Sequence, residues 1–337
     1  MSKWSKSVYI ERWTPSSRRA VIIAGLIILT LAFAPLFASN GVLDRLTALF
    51  VYVILAAMWN ALAGYGGLIS VGQQAFFGLG AYFTIRIAHL GLDPFIAVAL
   101  SAIVVGIISY PISLIMLRLR GGEFAIGMWV IASIIHLLVN LDGLIQGETG
   151  ISLISLNQYE ADTRLTTIYL LALFTMTSLL VMLFLVLRSR VGSAIEAIRD
   201  NEDAASSIGV NPEKTKRLLF VLAAFGIGAA GAIWLTTATS FQPKTYFSVQ
   251  WTAYMIFMVL VGGIGRFEGP ILGALLFFLV ETWFSSSGVW YLIGLGAIAI
   301  IFSLFLPKGL WGELERRFNW QFLPIGYRVE PKNNKLE

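Results

Sequence analysis

Cysteine is absent from all 337 residues. No disulfide, thiolate metal site or cysteine nucleophile is therefore available, and the redox compartment is left open. Histidine is nearly absent too. His89 and His136 lie far apart in sequence, whereas a structural metal site draws on several ligands at set spacings. Charge is also scarce: Asp, Glu, Lys and Arg make up 13% of the chain, where soluble domains carry about 25%. The dipeptide Gly-Lys occurs nowhere, so the chain has no phosphate cradle of the G-x-x-x-x-G-K-[ST] type. Any ATP is hydrolysed by another polypeptide. Its carboxylates sit mostly in polar stretches and its serines lack a nearby histidine, so no acid-base or nucleophile constellation appears. The chain is expected to be no enzyme by itself and to need no metal or cofactor.

What remains is apolar. Hydrophobic residues make up 57% of the chain, too much for its polar residues to cover, so lipid must cover the rest. A spanning helix needs about 20 apolar residues. Runs of that size lie at 20–38, 45–63, 95–117, 167–187, 218–238 and 289–306, with shorter or glycine-interrupted candidates at 71–90, 123–140, 247–265 and 269–287. The expected fold is an all-α polytopic bundle of about ten transmembrane helices, some of them short or broken. Residues 1–19 form an N-terminal tail, 20–306 the membrane domain with a polar loop at 188–217, and 307–337 a C-terminal tail. A cleaved secretory signal is the rival reading of the first run, but that run exceeds the roughly 7–15 apolar residues of a signal core.

Basic residues set the orientation, because inside loops keep an excess of them. Ten crossings with the N-terminus inside place all of the 24 lysines and arginines on the cytoplasmic side except Arg45, Arg86, Arg164 and Lys244. Asp142, Glu148, Glu160 and Asp162 then share one outside loop. Both termini are expected in the cytoplasm. The net charge of +5 thus has its explanation in membrane orientation, and nucleic acid is not expected as a partner.

The loop at 188–217 is more than a linker. From Gly192 to Ile208 it lacks proline and places Ala194, Ile195, Ala197, Ile198, Ala204, Ala205 and Ile208 near helical spacing. Asn211 and Pro212 break that helix or begin another. A short amphipathic pair of helices is predicted. Inside the spans, ionisable groups are the first functional suspects, because a charge in lipid is costly. Arg86 and Glu281 fall near outer ends, where long side chains reach the headgroups. His136, with Ser133 and Asn140, defines one helical face that either lines a polar pathway or makes an interhelical hydrogen bond. So few intramembrane carboxylates weigh against a proton- or sodium-coupled transporter. Glycines cluster at Gly64, Gly66, Gly67, Gly72, Gly78 and Gly80, with Asn60, Gln73 and Gln74 alongside, and again at Gly262, Gly263, Gly265, Gly269 and Gly273. Such segments serve close helix packing or turn backbone toward a cavity, and their pairing hints at an internal repeat.

The stretch from Trp59 to Tyr82, WNALAGYGGLISVGQQAFFGLGAY, resembles the branched-chain amino-acid ABC transporter permease family of the LivM type. So do Leu117–Gly121 with Phe124–Ile126, Glu196–Glu202, Gly262–Gly265 and Pro307–Leu310, in the same order over residues 45–312. Asp203-Ala204-Ala205 followed by Gly209 is similar to the coupling motif by which such permeases seat on an ATPase. The resemblance implies a bacterial or archaeal cytoplasmic-membrane importer with a second permease subunit, two ATP-binding-cassette ATPases and an extracytoplasmic solute-binding protein. It implies an ATPase-coupling role for Glu196, Arg199, Asp200, Glu202, Asp203, Ala204, Ala205 and Gly209. Asn60, Gly66, Ser70, Gln73, Gln74 and His136 are the candidate pathway residues. The chain departs from the family pattern in having Asp203 for the usual glutamate, in Gln74 and in a shortened outer loop at Glu148-Thr149-Gly150. Urea and short-amide permeases share the scaffold, and a passive channel lined by the glycine segments is the reading from another class. A lipid-acting membrane enzyme lacks the clustered carboxylates or histidines that such chemistry needs.

Overall fold

A computed structural model describes residues 8–11, 15–318, 322–323 and 328–331. The first helices are α1 (Pro15–Ala32), α2 (Asn40–Asn60), α3 (Gln74–His89), α4 (Pro94–Met116), α5 (Gly121–Asn140) and α6 (Ala161–Arg188). Two short helices follow, α7 (Arg190–Asp200) and α8 (Glu202–Ser207), then the long α9 (Pro212–Ala238). The chain continues through α10 (Pro243–Tyr246), α11 (Val249–Gly262), α12 (Gly269–Phe284), α13 (Val289–Phe305) and α14 (Gly309–Phe318). Four short strands, β1 (Val8–Glu11), β2 (Ile151–Ser152), β3 (Ser240–Phe241) and β4 (Arg328–Pro331), form two antiparallel pairs, β1 with β4 and β2 with β3.

Among the described residues, nine helical stretches are long and apolar enough to cross a membrane. The segment expected at 71–90 is the exception. It forms α3, whose 16 residues reach about 24 Å, short of the roughly 30 Å hydrocarbon core. The irregular stretch 66–73 precedes it. It leaves the end of α2, where a Cβ on Gly64 would stand 2.5 Å from the Gly265 amide nitrogen, and delivers Gln74 to Thr252 of α11. At its far end α3 reaches the opposite side of the bundle, where Arg86 pairs with Asp142 at 2.5 Å. Helix and irregular stretch together run from the Gly64–Gly265 contact to the Arg86–Asp142 pair. The tails agree with an even number of crossings: β1 and β4 pair with Val8 opposite Pro331 and Glu11 opposite Arg328, so both tails lie on one face.

Composition decides which helices are central. In α2 every residue from Phe50 to Asn60 is buried, as befits a helix apolar on all sides. The spans containing α2 and α9 are 83% and 72% buried, against 6% for that of α1 and 11% for that of α13, which lie at the rim. Glycine sets the spacing around α9. A Cβ on Gly80 of α3 would overlap the Gly228 carbonyl oxygen, and one on Gly231 would overlap that of Phe77. α3 and α9 therefore meet backbone to backbone, a packing that small residues permit. Near this crossing, Phe77 packs on Trp251 at 4.1 Å between ring centroids, and Trp251 meets Trp234 edge to face at 5.0 Å.

Candidate functional site: a coupling surface and the polar seam beneath it

The stretch expected as one helix from Gly192 to Ile208 is instead divided at Asn201 into α7 and α8, and local hydrogen bonds explain the break. Ser189 Oγ accepts from the Val191 amide at 3.1 Å and caps α7. Asn201 ends α7 and begins α8, its amide donating to the Ala197 carbonyl and its Oδ1 accepting from the Ala204 amide at 3.0 Å. The alternatives at Asn211-Pro212 resolve in favour of a new helix: Asn211 Oδ1 accepts from the Lys214 amide and Pro212 occupies the first position of α9. Between α8 and α9, Gly209 adopts φ +89° with open space around it, a conformation costly for any other residue.

One face of this pair is buried and the other is free. Gly192, Ile195, Ile198 and Ala205 point into the protein, while Glu196, Asp200, Asp203, Ala204, Gly209 and Ile208, the last 77% exposed, lie on the surface. Arg199 and Glu202 depart from the simple picture of a row of docking contacts. Lys216 Nζ donates to Glu202 Oε2 at 2.7 Å, tying α8 to α9. The Arg199 guanidinium donates from Nη1 to the Gly64 carbonyl at 3.2 Å and also pairs with Asp200. Gly64 lies in the π-helical turn Ala61–Tyr65 that ends α2. There the Asn60 carboxamide accepts from the Gly265 amide at 2.8 Å and donates to the Arg266 carbonyl at 2.9 Å. The two glycine-rich regions, about 200 residues apart, thus meet directly under α7 and α8.

The remaining pathway candidates fall into two places. Ser70, Gln73 and Gln74 form a polar seam, each no more than 2% exposed. Ser70 Oγ accepts from Gln73 Nε2 at 2.9 Å, Trp59 Nε1 donates to the Ser70 carbonyl at 3.0 Å, and Gln74 exchanges hydrogen bonds with Thr252. Gln73 Oε1 is buried without a hydrogen-bond partner. Gly66 is buried against Leu219, and Gly72 packs on the backbone of Met128 in α5. His136 lies elsewhere, on α5 at the opposite end. Its Nε2 lies 2.9 Å from Glu148 Oε1, and its ring stacks on Phe247 at 5.5 Å between centroids. Asn140 Nδ2 donates to Glu148 at 2.5 Å and the Lys244 amide donates to it at 2.7 Å. Burial pushes the Glu148 carboxyl up, but the bonds from Asn140 and Lys244 and the His136 ring outweigh it and hold it below the usual carboxylate range. Ser133, on the same face as His136, is exposed.

Several contacts around the candidate site have no sequence signature. Asn60, expected beside the pathway, is buried as the clamp of the 263–266 loop. Glu281 is held by a buried tyrosine, Tyr52, whose hydroxyl donates to it at 2.7 Å, rather than by headgroups alone. Arg86 pairs with Asp142. The contact of Arg199 with the Gly64 carbonyl follows from the fold around Gly64, which no local pattern encodes.

Residues 41–304 match the model of the family described as branched-chain amino acid transport system / permease component. The chain belongs to that family. Relatives of this permease component include the high-affinity branched-chain amino acid transport system permease protein LivM of Escherichia coli (strain K12), 25% identical over 87% of this chain and 75% of the relative. The protein of the same name in Salmonella typhimurium (strain LT2) is 26% identical over the same shares. A structure titled PsaBC from Streptococcus pneumoniae in complex with Fab matches 75% of this chain and 95% of its own with TM-score 0.37 and 15% identity, too low to bear on function. The permease component is thus an all-α polytopic membrane protein of a transport family.

Proposed function

We propose that the chain is the membrane-spanning permease subunit of an ATP-binding-cassette importer for branched-chain amino acids, moving solute by alternating access. Two ATPase subunits dock on α7 and α8, a second permease completes the pore, and an extracytoplasmic solute-binding protein delivers the solute. The observation that carries this reading is the link from the exposed face of α7, through Arg199 and Gly64, to the Asn60 clamp and the polar seam. A helix pair that merely bridged α6 and α9 would need no such tie. Motion of α7 reaches the π-helical end of α2 and the 263–266 loop together, and the irregular stretch 66–73 starts from that same point. Repacking of Ser70, Gln73 and Gln74 against α5 and α11 then opens the pathway on one side while the His136–Glu148 contact closes the other. Both tails lie in the cytoplasm of a bacterial or archaeal cell, as the basic loops and the paired strands support.

Reconstitution in liposomes tests this. The complete assembly should take up leucine only with ATP and the binding protein present, and should stop with catalytically dead ATPase partners. Uptake by this chain alone without ATP identifies a passive channel instead, and uptake of urea or acetamide in preference to leucine assigns it to the amide branch of the scaffold.

A further inference from the structure

Between α4, α6 and α9 runs an open apolar groove of about 800 Å³. Ile107 and Tyr110 of α4, Met182 of α6, and Leu218, Leu222 and Phe225 of α9 line it. Of all its lining residues only Tyr110 carries a polar side chain. Ile107 is 66% and Tyr110 50% exposed, so the groove opens to the surroundings of the bundle, which in a membrane is hydrocarbon. A recess of this size among close-packed helices costs dispersion contacts unless something flexible fills it.

Its end is cationic. The Arg217 guanidinium lies 5.5 Å from the centroid of the Tyr110 ring. One of its nitrogens pairs with Glu213, while its Nε is buried and has no hydrogen-bond partner. An unpaired N–H of a charged group in a shielded site is costly, and a phosphate oxygen is the acceptor that guanidinium geometry suits best. Lys214, one turn away, and Arg118, in the turn that ends α4, are both exposed at this end of the two helices. Glu213, 63% exposed, and Glu202, already paired with Lys216, are the carboxylates facing this region. Basic pockets between helices beside an apolar surface are where anionic lipid headgroups bind.

We propose that this groove is a phospholipid site: an acyl chain lies along Ile107, Leu222 and Phe225, and an anionic headgroup phosphate is received by Arg217, with Lys214 and Arg118 adding to the field. The occupant comes from the leaflet that faces the coupling helices. Because α9 follows α8 directly, the bound lipid braces the base of the coupling segment and links its position to the anionic content of the membrane.

Native mass spectrometry of the full purified chain, given phosphatidylglycerol or phosphatidylcholine with matched acyl chains, tests this independently of transport. Phosphatidylglycerol should be retained in preference. Arg217→Gln should weaken that retention about tenfold, the loss expected for a hydrogen bond to a charged group, and bring it to the level of phosphatidylcholine. Ile107→Trp, which fills an exposed part of the groove, should reduce retention of both lipids. If Arg217→Gln fails to fold, Arg217→Lys is the substitute, and partial retention is expected because the charge stays while the planar donor goes. Equal retention of both lipids, retention unchanged in the variants, or cross-linking of an Ile107→Cys groove to a second permease subunit in the assembled complex would overturn the proposal.

Discussion

Asn60 uses both ends of its carboxamide on one loop, accepting from Gly265 and donating to Arg266. Asn60→Ala leaves the part-buried Gly265 amide and Arg266 carbonyl without these partners, at about 0.5–1.5 kcal/mol each, and should lower the unfolding midpoint of the purified protein. An unchanged midpoint would remove the clamp from the account. Glu148 gives the pH dependence. Its carboxyl is depressed in the folded protein, so its contribution to stability is present above the unfolded value and disappears as pH falls through the folded one. Because its side chain is 46% exposed, the effect is small. Stability curves of wild type and Glu148→Gln, separated at neutral pH, should converge below about pH 4. Curves that stay parallel in acid would show that ionisation of Glu148 contributes nothing to stability. Asp142 behaves the same way: burial raises its carboxyl, and bonds from Tyr82, the Leu144 amide and Arg86 bring it below the usual range.

At the scale of elements, glycine divides into two kinds. Gly80 sits where a methyl group would strike the Gly228 carbonyl, whereas Gly294 in α13 has nothing within 4 Å. Gly80→Ala should force α3 from α9 and lower expression and midpoint by the equivalent of about 1–3 kcal/mol, the usual cost of overpacking. Gly294→Ala should be neutral or slightly stabilising, since alanine is the better helix former. Equal effects in thermal unfolding would mean that the α3–α9 contact is looser than described. This contrast also shows what the sequence reveals. Apolar runs, basic flanks and Asn211-Pro212 announce helices and their ends, because length, charge and local hydrogen bonding act within a few residues, whereas the caps at Ser189 and Asn201 emerge only in the structure. The stretch 66–73 with α3 is harder to read, since α3 is short and the stretch before it is held by Trp59, Thr252 and Met128 from other segments. The seam residues Ser70, Gln73 and Gln74 are visible as polar intrusions, but whether they line a cavity or pack is decided by partners up to 178 residues away. Arg199 reads as a surface charge and is exposed, yet its Nη1 also reaches the Gly64 carbonyl, a contact no local pattern encodes.

For the whole molecule, crossings and tails must agree. Among the described residues nine helices are long and apolar enough to cross, and the β1–β4 pairing puts Val8–Glu11 and Arg328–Pro331 on one face, which calls for an even number of crossings, the tenth being the one proposed for 66–73 with α3. The absence of native cysteine makes this accessible to labelling: Ser5→Cys and Asn333→Cys should react with a membrane-impermeant maleimide only after permeabilisation, and Thr163→Cys should react in intact cells. Opposite labelling of the two tails would eliminate the crossing proposed for 66–73 with α3. The same architecture puts α7 and α8, the Asn60 clamp and the start of the 66–73 stretch at one end, so on the proposed function force applied at α7 has a short path into the bundle. The most direct measurement is the amount of solute moved per ATP hydrolysed by the reconstituted importer carrying Arg199→Gln. The account predicts that the complex still assembles and hydrolyses ATP while solute moved per ATP falls sharply; an unchanged ratio would contradict it.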